Sequence, residues 1–414
     1  MERLLIVEDN KTLSKLIALK IKENLKFEID IAYTMHEAKL FLRIHKYFLV
    51  LLDLNLPDAP NGEIVDYSIK KEQHVIVLTG NEDKEFRKKI LKKNIIDFVN
   101  KDGISNINYI VSTIERLQKN KEHKVLLVDD SMVFRKQMSA MLKNLFFDVY
   151  TVAHGEEALG MLQTHPDISL VITDYHMPVM DGFELTKEIR KNHTKQDLSI
   201  ITLSSDENDE IISMFLKNGA NDYIKKPFSK EEFSCRVNNT IESLENLNLA
   251  TNHANRDFLT GLYNRRYFFN HMSEYREEMA QHVESYAVAM VDIDHFKKIN
   301  DTFGHDNGDK VIIHLSEILI SNTNYRDIVS RFGGEEFCII LKNVNKYSAL
   351  DILEKLRTKV EKAALYTKDS QEICFTISIG FTMDSEESIE ELINQADMML
   401  YKAKNEGRNI VLSE

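Results

Sequence analysis

The first 240 residues of the chain carry one pattern of apolar runs and polar residues twice. In each copy one apolar run ends in a pair of acids, and a later run ends in a single acid. These acids are Glu8, Asp9 and Asp53 in the first copy and Asp129, Asp130 and Asp174 in the second. The single acid follows the pair after the same 44-residue interval in both copies. Apolar strands that alternate with amphipathic helices predict a parallel sheet, so the repeat predicts two α/β domains with doubly wound sheets.

A hydroxyl residue and a lysine complete each copy. A further apolar run ends in Thr79 or Ser204, and Lys101 or Lys226 follows 22 residues later. The carboxyl ends of parallel strands meet at one edge of a sheet, so we expect each set to form one pocket. Clustered carboxylates bind Mg²⁺, and the ion offsets charge while one carboxylate attacks a phosphoryl group. The sequence therefore predicts a phosphoryl-transfer pocket in each copy.

The two copies resemble the receiver domains of two-component response regulators, which have a flavodoxin-like (CheY-like) fold. The resemblance implies that Asp53 and Asp174 accept the phosphoryl group and help to hold one Mg²⁺ ion per receiver. The other metal ligands implied for the two pockets are the carboxylates of Asp9 and Asp130 and the backbone carbonyls of Asn55 and His176. The implied lining residues are Glu8, Thr79, Lys101, Asp129, Ser204 and Lys226. The first copy is less regular, because a longer segment follows Pro57 and Asp102 stands where the second copy has Pro227. For either copy alone, the alternative is a receiver fold kept only as a dimerisation scaffold.

A pair of glycines separates two apolar runs near the C-terminus, in the heptapeptide Arg331-Phe332-Gly333-Gly334-Glu335-Glu336-Phe337. Gly-Gly between two β-prone runs predicts a hairpin, because the tight turns that suit strand twist need positive φ angles. The two adjacent carboxylates after the turn repel each other, so a cation or a chemical role would explain them. The heptapeptide by itself leaves both an exposed acidic hairpin and a metal-binding hairpin open.

The segment from about residue 250 to residue 414 resembles the GGDEF (diguanylate cyclase) family, here in its GGEEF form. Besides the hairpin, the resemblance rests on the runs Asp257–Arg266, Asp292–Asp301 and Ala403–Asn409, which occur in the family's order. It implies a ferredoxin-like, nucleotidyl-cyclase-type α+β domain that condenses two GTP into cyclic di-GMP and two pyrophosphates. Each cyclase site is expected to use two Mg²⁺ ions, for which Mn²⁺ can substitute.

The family's functional positions fall on a defined set of residues in this chain. The implied metal ligands are Asp292, the carbonyl of Ile293 and Glu335, and the implied catalytic acids are Glu335, as proton acceptor, and Glu336. The implied substrate contacts are Asn300 and Asp309 with guanine, Lys297, Lys404 and Arg408 with the phosphates, and Gly333 and Gly334 at the turn. A carboxylate such as Asp309 accepts hydrogen bonds from N1–H and the N2 amine of guanine, and adenine offers neither group.

Many members of this family also carry Arg-x-x-Asp before the hairpin, where bound product inhibits the enzyme. The matching residues here are Asn324 to Asp327, so Asn stands where the family has Arg. Asn supplies neither the charge nor the reach of a guanidinium, and we therefore expect weakened product inhibition. Arg326 could compensate in part if this segment is a regular strand.

One cyclase domain holds one GTP and the product joins two, so we expect a homodimer with two-fold symmetry. The leading hypothesis is a response regulator in which aspartyl phosphorylation activates the cyclase through dimerisation. Its partner would be a cognate histidine kinase or a phosphotransfer protein. The alternative is a catalytically silent signalling module that binds GTP or cyclic di-GMP, against which the retained acids, Lys404 and Arg408 argue.

The composition limits the possible partners and the possible cellular location of the protein. A formal net charge of −13 argues against a nucleic-acid partner, which would require a basic face. No apolar run approaches the ~18 residues of a membrane span, and the three cysteines lack metal-like spacing, so we expect a cytoplasmic protein without membrane insertion. The expected domains are residues 1–119 and 120–245 for the receivers, with an extended helix or linker to about 255, and 256–414 for the cyclase.

Overall fold

The structure is a computed structural model that describes residues 1–80, 90, 93–101, 104–205, 209–272, 285–324, 326–367, 369–383 and 388–414. The chain divides into two compact units, Met1–Leu247 and Asn248–Glu414. Asp102, which distinguishes the first copy of the repeat from the second, lies outside the described residues.

The first copy of the repeat forms a five-stranded parallel sheet. Its strands are β1 (Glu2–Val7), β2 (Phe27–Ala32), β3 (Leu49–Asp53), β4 (Val75–Thr79) and β5 (Asp97–Asn100), and helices α1 (Lys11–Asn24), α2 (Met35–Ile44), α3 (Glu63–Lys70) and α4 (Ile104–Asn120) connect or follow them. The spatial order β2-β1-β3-β4-β5 is that of flavodoxin-like doubly wound sheets. The predicted fold of this copy is therefore confirmed.

The second copy repeats the same architecture. Its strands are β6 (Lys124–Val128), β7 (Asp148–Val152), β8 (Ile168–Asp174), β9 (Ser199–Ser204) and β10 (Asp222–Lys225), with helices α5 (Met132–Asn144), α6 (Gly155–Thr164), α7 (Gly182–Asn192), α8 (Asp209–Lys217) and α9 (Lys230–Asn255). The order β7-β6-β8-β9-β10 is again that of a flavodoxin-like sheet. The central strands β6 and β8 are apolar and buried over Val125–Val128 and Leu170–Ile172, as in sheets that helices cover on both faces.

Buried side chains from the two sheets belong to one hydrophobic cluster, which includes Leu4 and Leu51 of the first copy and Leu127 and Ile172 of the second. Aromatic rings reinforce this contact. The rings of Phe48 and Phe146 stack at a centroid distance of 4.5 Å, and the ring of His74 lies 4.2 Å from that of Phe146. His74 Nδ1 also lies 3.1 Å from Asn144 Oδ1. The two receiver folds therefore pack against each other through a shared apolar core.

Helix α9 continues from the second sheet for 26 residues. Phe233, Val237, Ile241 and Leu244 form its buried face, as their spacing predicts. Helix α4 is linked to α9 near its C-terminal end, because Arg116 donates to both carboxylate oxygens of Glu245 at 2.6 Å. These hydrogen bonds, with a smaller contribution from His123, lower the pKa of Glu245 to about 2.

The second unit is built on a mixed six-stranded sheet with the order β11-β13-β14-β12-β17-β18. Its strands are β11 (Tyr263–Asn264), β12 (Tyr286–Ile293), β13 (Ile328–Gly333), β14 (Glu336–Lys342), β17 (Ile377–Met383) and β18 (Val411–Ser413), and β15 (Ala364–Tyr366) with β16 (Glu372–Cys374) forms a separate hairpin. The helices are α10 (Phe296–Phe303), α11 (His305–Asn322), α12 (Lys346–Glu361) and α13 (Ile389–Asn405), and residues 265–272 are also helical. The predicted α+β class is confirmed.

Two features of this sheet position polar groups. The Gly-Gly segment forms the predicted hairpin between β13 and β14, and Gly334 has the positive φ of 52° that the turn requires. In strand β17, a Cβ atom on Gly380 would lie 2.0 Å from the backbone nitrogen of Leu400 and 2.2 Å from the carbonyl of Ala396. The missing side chain thus lets helix α13 pack directly on the sheet.

Candidate active site and receiver pockets

Asp292 lies at the end of the central strand β12, directly opposite Glu336 of strand β14. Asp292 is 5% exposed, and its carboxylate lies 2.8 Å from the ammonium group of Lys404. Burial raises the pKa of Asp292 to about 6; Lys404 opposes this shift, and the nearby Glu335 and Glu336 add to it. The sheet therefore brings three predicted site acids close enough to repel one another, with a lysine beside the buried one.

The turn of the hairpin is held by Arg331, a residue to which the sequence analysis assigned no function. Arg331 donates from Nε and from its second amino group to the carbonyl of Gly334, at 3.0 and 2.8 Å. Its remaining amino group donates to Asp257 Oδ1 at 2.9 Å. Thr260 also donates to Asp257, and these hydrogen bonds lower the pKa of that carboxyl although burial opposes them. The run Asp257–Arg266 that marked the family thus supports the turn that carries Glu335.

The end of helix α13 carries two of the predicted phosphate-binding residues. Lys404 lies in the last turn, and Gly407, Arg408 and Asn409 then reverse the chain with φ angles of 118°, 66° and 52°. Arg408 is half-buried, and its backbone N–H donates to the carbonyl of Ala403 at 3.0 Å. The third predicted cation, Lys297, is exposed on helix α10.

Asp294 is a buried acid that the sequence analysis did not assign to the site. It is 4% exposed and accepts hydrogen bonds from Thr376 Oγ1 at 2.7 Å and from Ser378 Oγ at 2.6 Å. Asp294 also accepts a hydrogen bond from the backbone N–H of Asn409 at 3.1 Å. The side-chain oxygen of Asn409 in turn accepts a hydrogen bond from Arg357 at 3.0 Å. Asp294 therefore ties the end of the Asp292 strand to the loop that carries Arg408. In the sequence, the only indication that Asp294 belongs near the site is its position two residues after Asp292, in Asp-Ile-Asp.

The two predicted guanine contacts lie on consecutive helices, Asn300 on α10 and Asp309 on α11. Asp309 is exposed, whereas Asn300 is half-buried. The side-chain oxygen of Asn300 is buried and accepts no hydrogen bond from any of the described residues. A buried acceptor without a donor is costly, so its presence here suits a site that receives the donor from a ligand.

The first receiver pocket brings together the residues that its spacing predicted. Lys101 Nζ lies 2.8 Å from Asp53 Oδ2 and 3.2 Å from both carboxylate oxygens of Glu8. Glu8, Asp9 and Asp53 each place a carboxylate oxygen within 4.8 Å of the others, as metal ligands require. The backbone N–H of Lys101 donates to the carbonyl of Thr79, and that of Asn55 donates to Asp53 Oδ1 at 3.3 Å.

The second receiver pocket repeats the contacts of the lysine, but among the described residues only the first pocket has three acids close enough together to share a metal ion. Lys226 Nζ lies 2.8 Å from Asp174 Oδ1 and 3.3 Å from Asp129 Oδ2. The backbone N–H of Lys226 donates to the carbonyl of the buried Ser204 at 2.8 Å. Asp130 is exposed beside this pocket. His176 follows Asp174 by two residues, and its ring lies 4.3 Å from that of Tyr175.

In both pockets the acids share a single lysine. Burial raises the pKa of Glu8, and the neighbouring Asp53 adds to the shift against the opposing effect of Lys101. Burial likewise raises the pKa of Asp129, which Lys226 opposes and Asp174 increases. Each pocket therefore holds more negative charge than its lysine offsets, and a divalent cation with oxygen ligands would balance it.

The segment that matches the family's product site is a turn before strand β13. Asp327 accepts hydrogen bonds from the backbone N–H groups of Asn324 at 2.7 Å and Lys342 at 2.9 Å. Tyr325 lies outside the described residues. The condition for compensation by Arg326 is not met, because this residue lies in the turn and the regular strand begins only at Ile328.

Two flavodoxin-like sheets with acid-and-lysine pockets, followed by an α+β domain with clustered acids, define the class of response regulators with a separate output domain. Residues 4–113 and 125–238 match the family of the response regulator receiver domain, and residues 254–410 match the diguanylate cyclase GGDEF domain. The receiver matches alone cover more than half of the chain. The chain therefore belongs to the response regulators that carry receiver domains and a GGDEF domain.

Individual relatives agree with this assignment. The response regulator PleD of Caulobacter vibrioides is 30% identical over 301 residues, which are 70% of this chain and 66% of PleD. Diguanylate cyclase A of Treponema denticola is 32% identical over 245 residues, 55% of this chain and 64% of the relative. The chain thus spans just under two thirds of the length of these curated relatives.

A crystal structure of a two-component system response regulator/GGDEF domain protein matches with a TM-score of 0.54 and 36% sequence identity. The match covers 59% of this chain and 100% of the solved one. Within the part of the chain that the structure describes, no helix is long and apolar enough to cross a membrane.

Proposed function

We propose that the chain is a diguanylate cyclase that condenses two GTP into cyclic di-GMP and two pyrophosphates, under the control of aspartyl phosphorylation in its receivers. The observation that carries this proposal is the acid cluster at the end of strand β12. Asp292 is buried beside two further carboxylates, and its pKa is raised to about 6 by burial and by their charge. Such a cluster is unfavourable unless cations bind it, and the GTP triphosphate brings Mg²⁺.

The chemistry of the oxygen donors suits Mg²⁺, of which the proposed reaction would use two ions. Asp292, Glu335 and the carbonyl of Ile293 offer the hard oxygen ligands that this ion prefers. Mg²⁺ held by these residues would offset charge on the α-phosphate and would lower the pKa of the attacking 3′-hydroxyl. Glu335 would accept that proton, and Glu336 is a second acid next to it. Lys404, Arg408 and Lys297 would bind the phosphates, and Asn300 and Asp309 would bind guanine.

The direct test is incubation of the purified full chain with GTP and Mg²⁺, followed by chromatographic separation and mass measurement of the products. We expect cyclic di-GMP and pyrophosphate to form in a ratio of one to two. Binding of GTP or cyclic di-GMP with no turnover under any receiver state would instead support the silent signalling module. We favour the enzyme, because a module that only binds nucleotide does not need a proton acceptor such as Glu335.

We further propose that each receiver binds one Mg²⁺ ion and accepts a phosphoryl group on Asp53 or Asp174. A cognate histidine kinase or a phosphotransfer protein would supply that group. Residues 1–119 and 120–245 would be the receivers and residues 256–414 the cyclase, and the extension of α9 to about residue 255 would link the second receiver to the cyclase. Since one cyclase domain holds one GTP and the product needs two in opposite orientations, phosphorylation would act by favouring a homodimer.

Substitution of both phosphoacceptors tests this control. The double variant Asp53→Asn, Asp174→Asn should lose the rise in activity that beryllofluoride, a phosphoryl mimic, causes in the unmodified chain, because the mimic binds to the aspartate oxygen. The measurements are the initial rate of cyclic di-GMP formation and the mass from light scattering, with and without the mimic. The two single variants show which receiver responds. A double variant that responds as the unmodified chain does would contradict the proposal.

We also predict weak inhibition by the product. Asn324 replaces an arginine, and loss of one charged hydrogen bond costs on the order of 2 kcal/mol, about thirtyfold in affinity. Asp327, the other residue of this site, already accepts two backbone hydrogen bonds. Progress curves with added cyclic di-GMP should show that Asn324→Arg is inhibited at lower product concentrations than the unmodified chain. Micromolar inhibition that is equal in both proteins would show that this site works without the arginine.

A further inference from the structure

Gly308 occupies an unusual position for a glycine. It is the fourth residue of helix α11, it is buried, and its backbone N–H donates to the carbonyl of Gly304 at 3.1 Å. Glycine inside a helix makes the helix less stable than alanine does, by about 1 kcal/mol, because glycine loses more backbone freedom on folding. A glycine at this position therefore weakens the helix.

The surroundings of Gly308 explain the glycine. A Cβ atom built on this residue would lie 1.9 Å from Asn300 Oδ1 and 3.0 Å from Asn300 Cγ. The next nearest atom is the ring carbon Cζ of Phe296, at 3.4 Å. Any side chain at 308 must therefore displace the amide of Asn300 and has little else to displace. Because that amide is the end of a flexible side chain, the displacement would cost the fold little.

The displaced atom is the buried oxygen that lacks a donor among the described residues. An acceptor in this state is complementary to an N–H group of a ligand. Guanine presents N–H donors at N1 and at its 2-amino group, whereas adenine has an acceptor nitrogen at N1 and only a C–H at position 2. The position of the Asn300 amide therefore affects which purine the site accepts.

We propose that Gly308 is a specificity-determining residue: its missing side chain keeps the Asn300 amide where it accepts a hydrogen bond from the 2-amino group of guanine. The inference rests on the proposed GTP site, and it adds a residue that contacts no substrate. Gly308 is a positioning residue, because it acts through Asn300. Gly308→Ala should therefore weaken the binding of guanine without lowering the stability of the fold. The methyl group stabilises the helix, but it displaces the amide of Asn300.

The test uses the full chain and nucleotides without a 3′-hydroxyl, which bind but cannot cyclise. Calorimetric titration with 3′-deoxy-GTP and 3′-deoxy-ITP compares guanine with hypoxanthine, which lacks the 2-amino group. Gly308→Ala should bind 3′-deoxy-GTP about tenfold more weakly and bind 3′-deoxy-ITP nearly as the unmodified chain does. Its melting temperature should be unchanged or higher.

Two further variants make the result decisive. Asn300→Ala should remove the same preference for guanine, and adding Gly308→Ala to it should change nothing more, because the amide is already gone and the methyl group has room. The matched control is Gly160→Ala in helix α6, where a Cβ atom meets no atom within 4 Å and both affinities should stay unchanged. Full guanine preference in Gly308→Ala, or additive losses in the double variant, would overturn the proposal. Because binding is measured without turnover, a chain that binds guanine selectively yet makes no cyclic di-GMP would contradict the proposed activity alone.

Discussion

Glu335→Gln is expected to reduce cyclic di-GMP formation at least about a thousandfold while the chain stays folded. The side chain would serve both as a metal ligand and as the acceptor of the 3′-hydroxyl proton, and an amide is a poor substitute in both respects. Glu335 lies in the turn of the hairpin and is only partly buried, so the substitution removes no packing. The measurement is the initial rate with saturating GTP and Mg²⁺, alongside a thermal melt.

Glu372→Gln provides the matched control, because it makes the same chemical change at an exposed position of the β15–β16 hairpin. It should keep the rate of the unmodified chain. Substantial turnover by Glu335→Gln would exclude this residue as the proton acceptor. Loss of activity together with a large fall in melting temperature would instead point to a structural contribution of Glu335 to the hairpin.

Asp292→Asn should abolish the activity and yet stabilise the metal-free chain at neutral and alkaline pH. Burial and the two nearby glutamates raise the pKa of Asp292 to about 6 in the folded protein, against about 4 for an unfolded chain. Between these pH values the folded state holds a proton that the unfolded state has released. The unmodified chain therefore loses stability as the pH rises from about 4 to about 6, by on the order of 3 kcal/mol, and the neutral amide avoids this loss.

The difference in unfolding free energy between Asp292→Asn and the unmodified chain is the quantity to measure, by calorimetry without divalent ions. It should be small near pH 4 and should grow to its full value above pH 6. Mg²⁺ with GTP should raise the melting temperature of the unmodified chain and have little effect on the variant, because binding to the folded state stabilises it. Asp369→Asn, at an exposed turn, should show neither effect. A pH-independent difference would mean that the pKa of Asp292 is not raised.

Residue spacing along the chain was enough to predict the architecture and the main polar groups of the receiver pockets. The acids of the two copies are separated by equal intervals of 44 residues. Such a repeat reflects the same succession of strands and helices, which the periodicity of apolar residues reveals along the chain. The spacing was sufficient to bring Lys101 to Asp53 and Lys226 to Asp174, because residues at the carboxyl ends of neighbouring parallel strands meet at one edge. The Gly-Gly hairpin was predictable for a similar reason, since its turn depends on adjacent residues.

The support of the candidate active site depends on contacts between residues that are far apart in the sequence. Arg331 reaches Asp257 across 74 positions of sequence, and Asp294 binds the backbone of Asn409 across 115. Neither contact follows from a local pattern, because each depends on strand register and on the packing of a helix against the sheet. Composition likewise gave no sign that the two receivers share one core, or that Gly308 makes room for Asn300. These features depend on which side chains meet in the folded protein. The distance of 1.9 Å between a Cβ atom built on residue 308 and the amide oxygen of Asn300 is an example, because no sequence pattern indicates it.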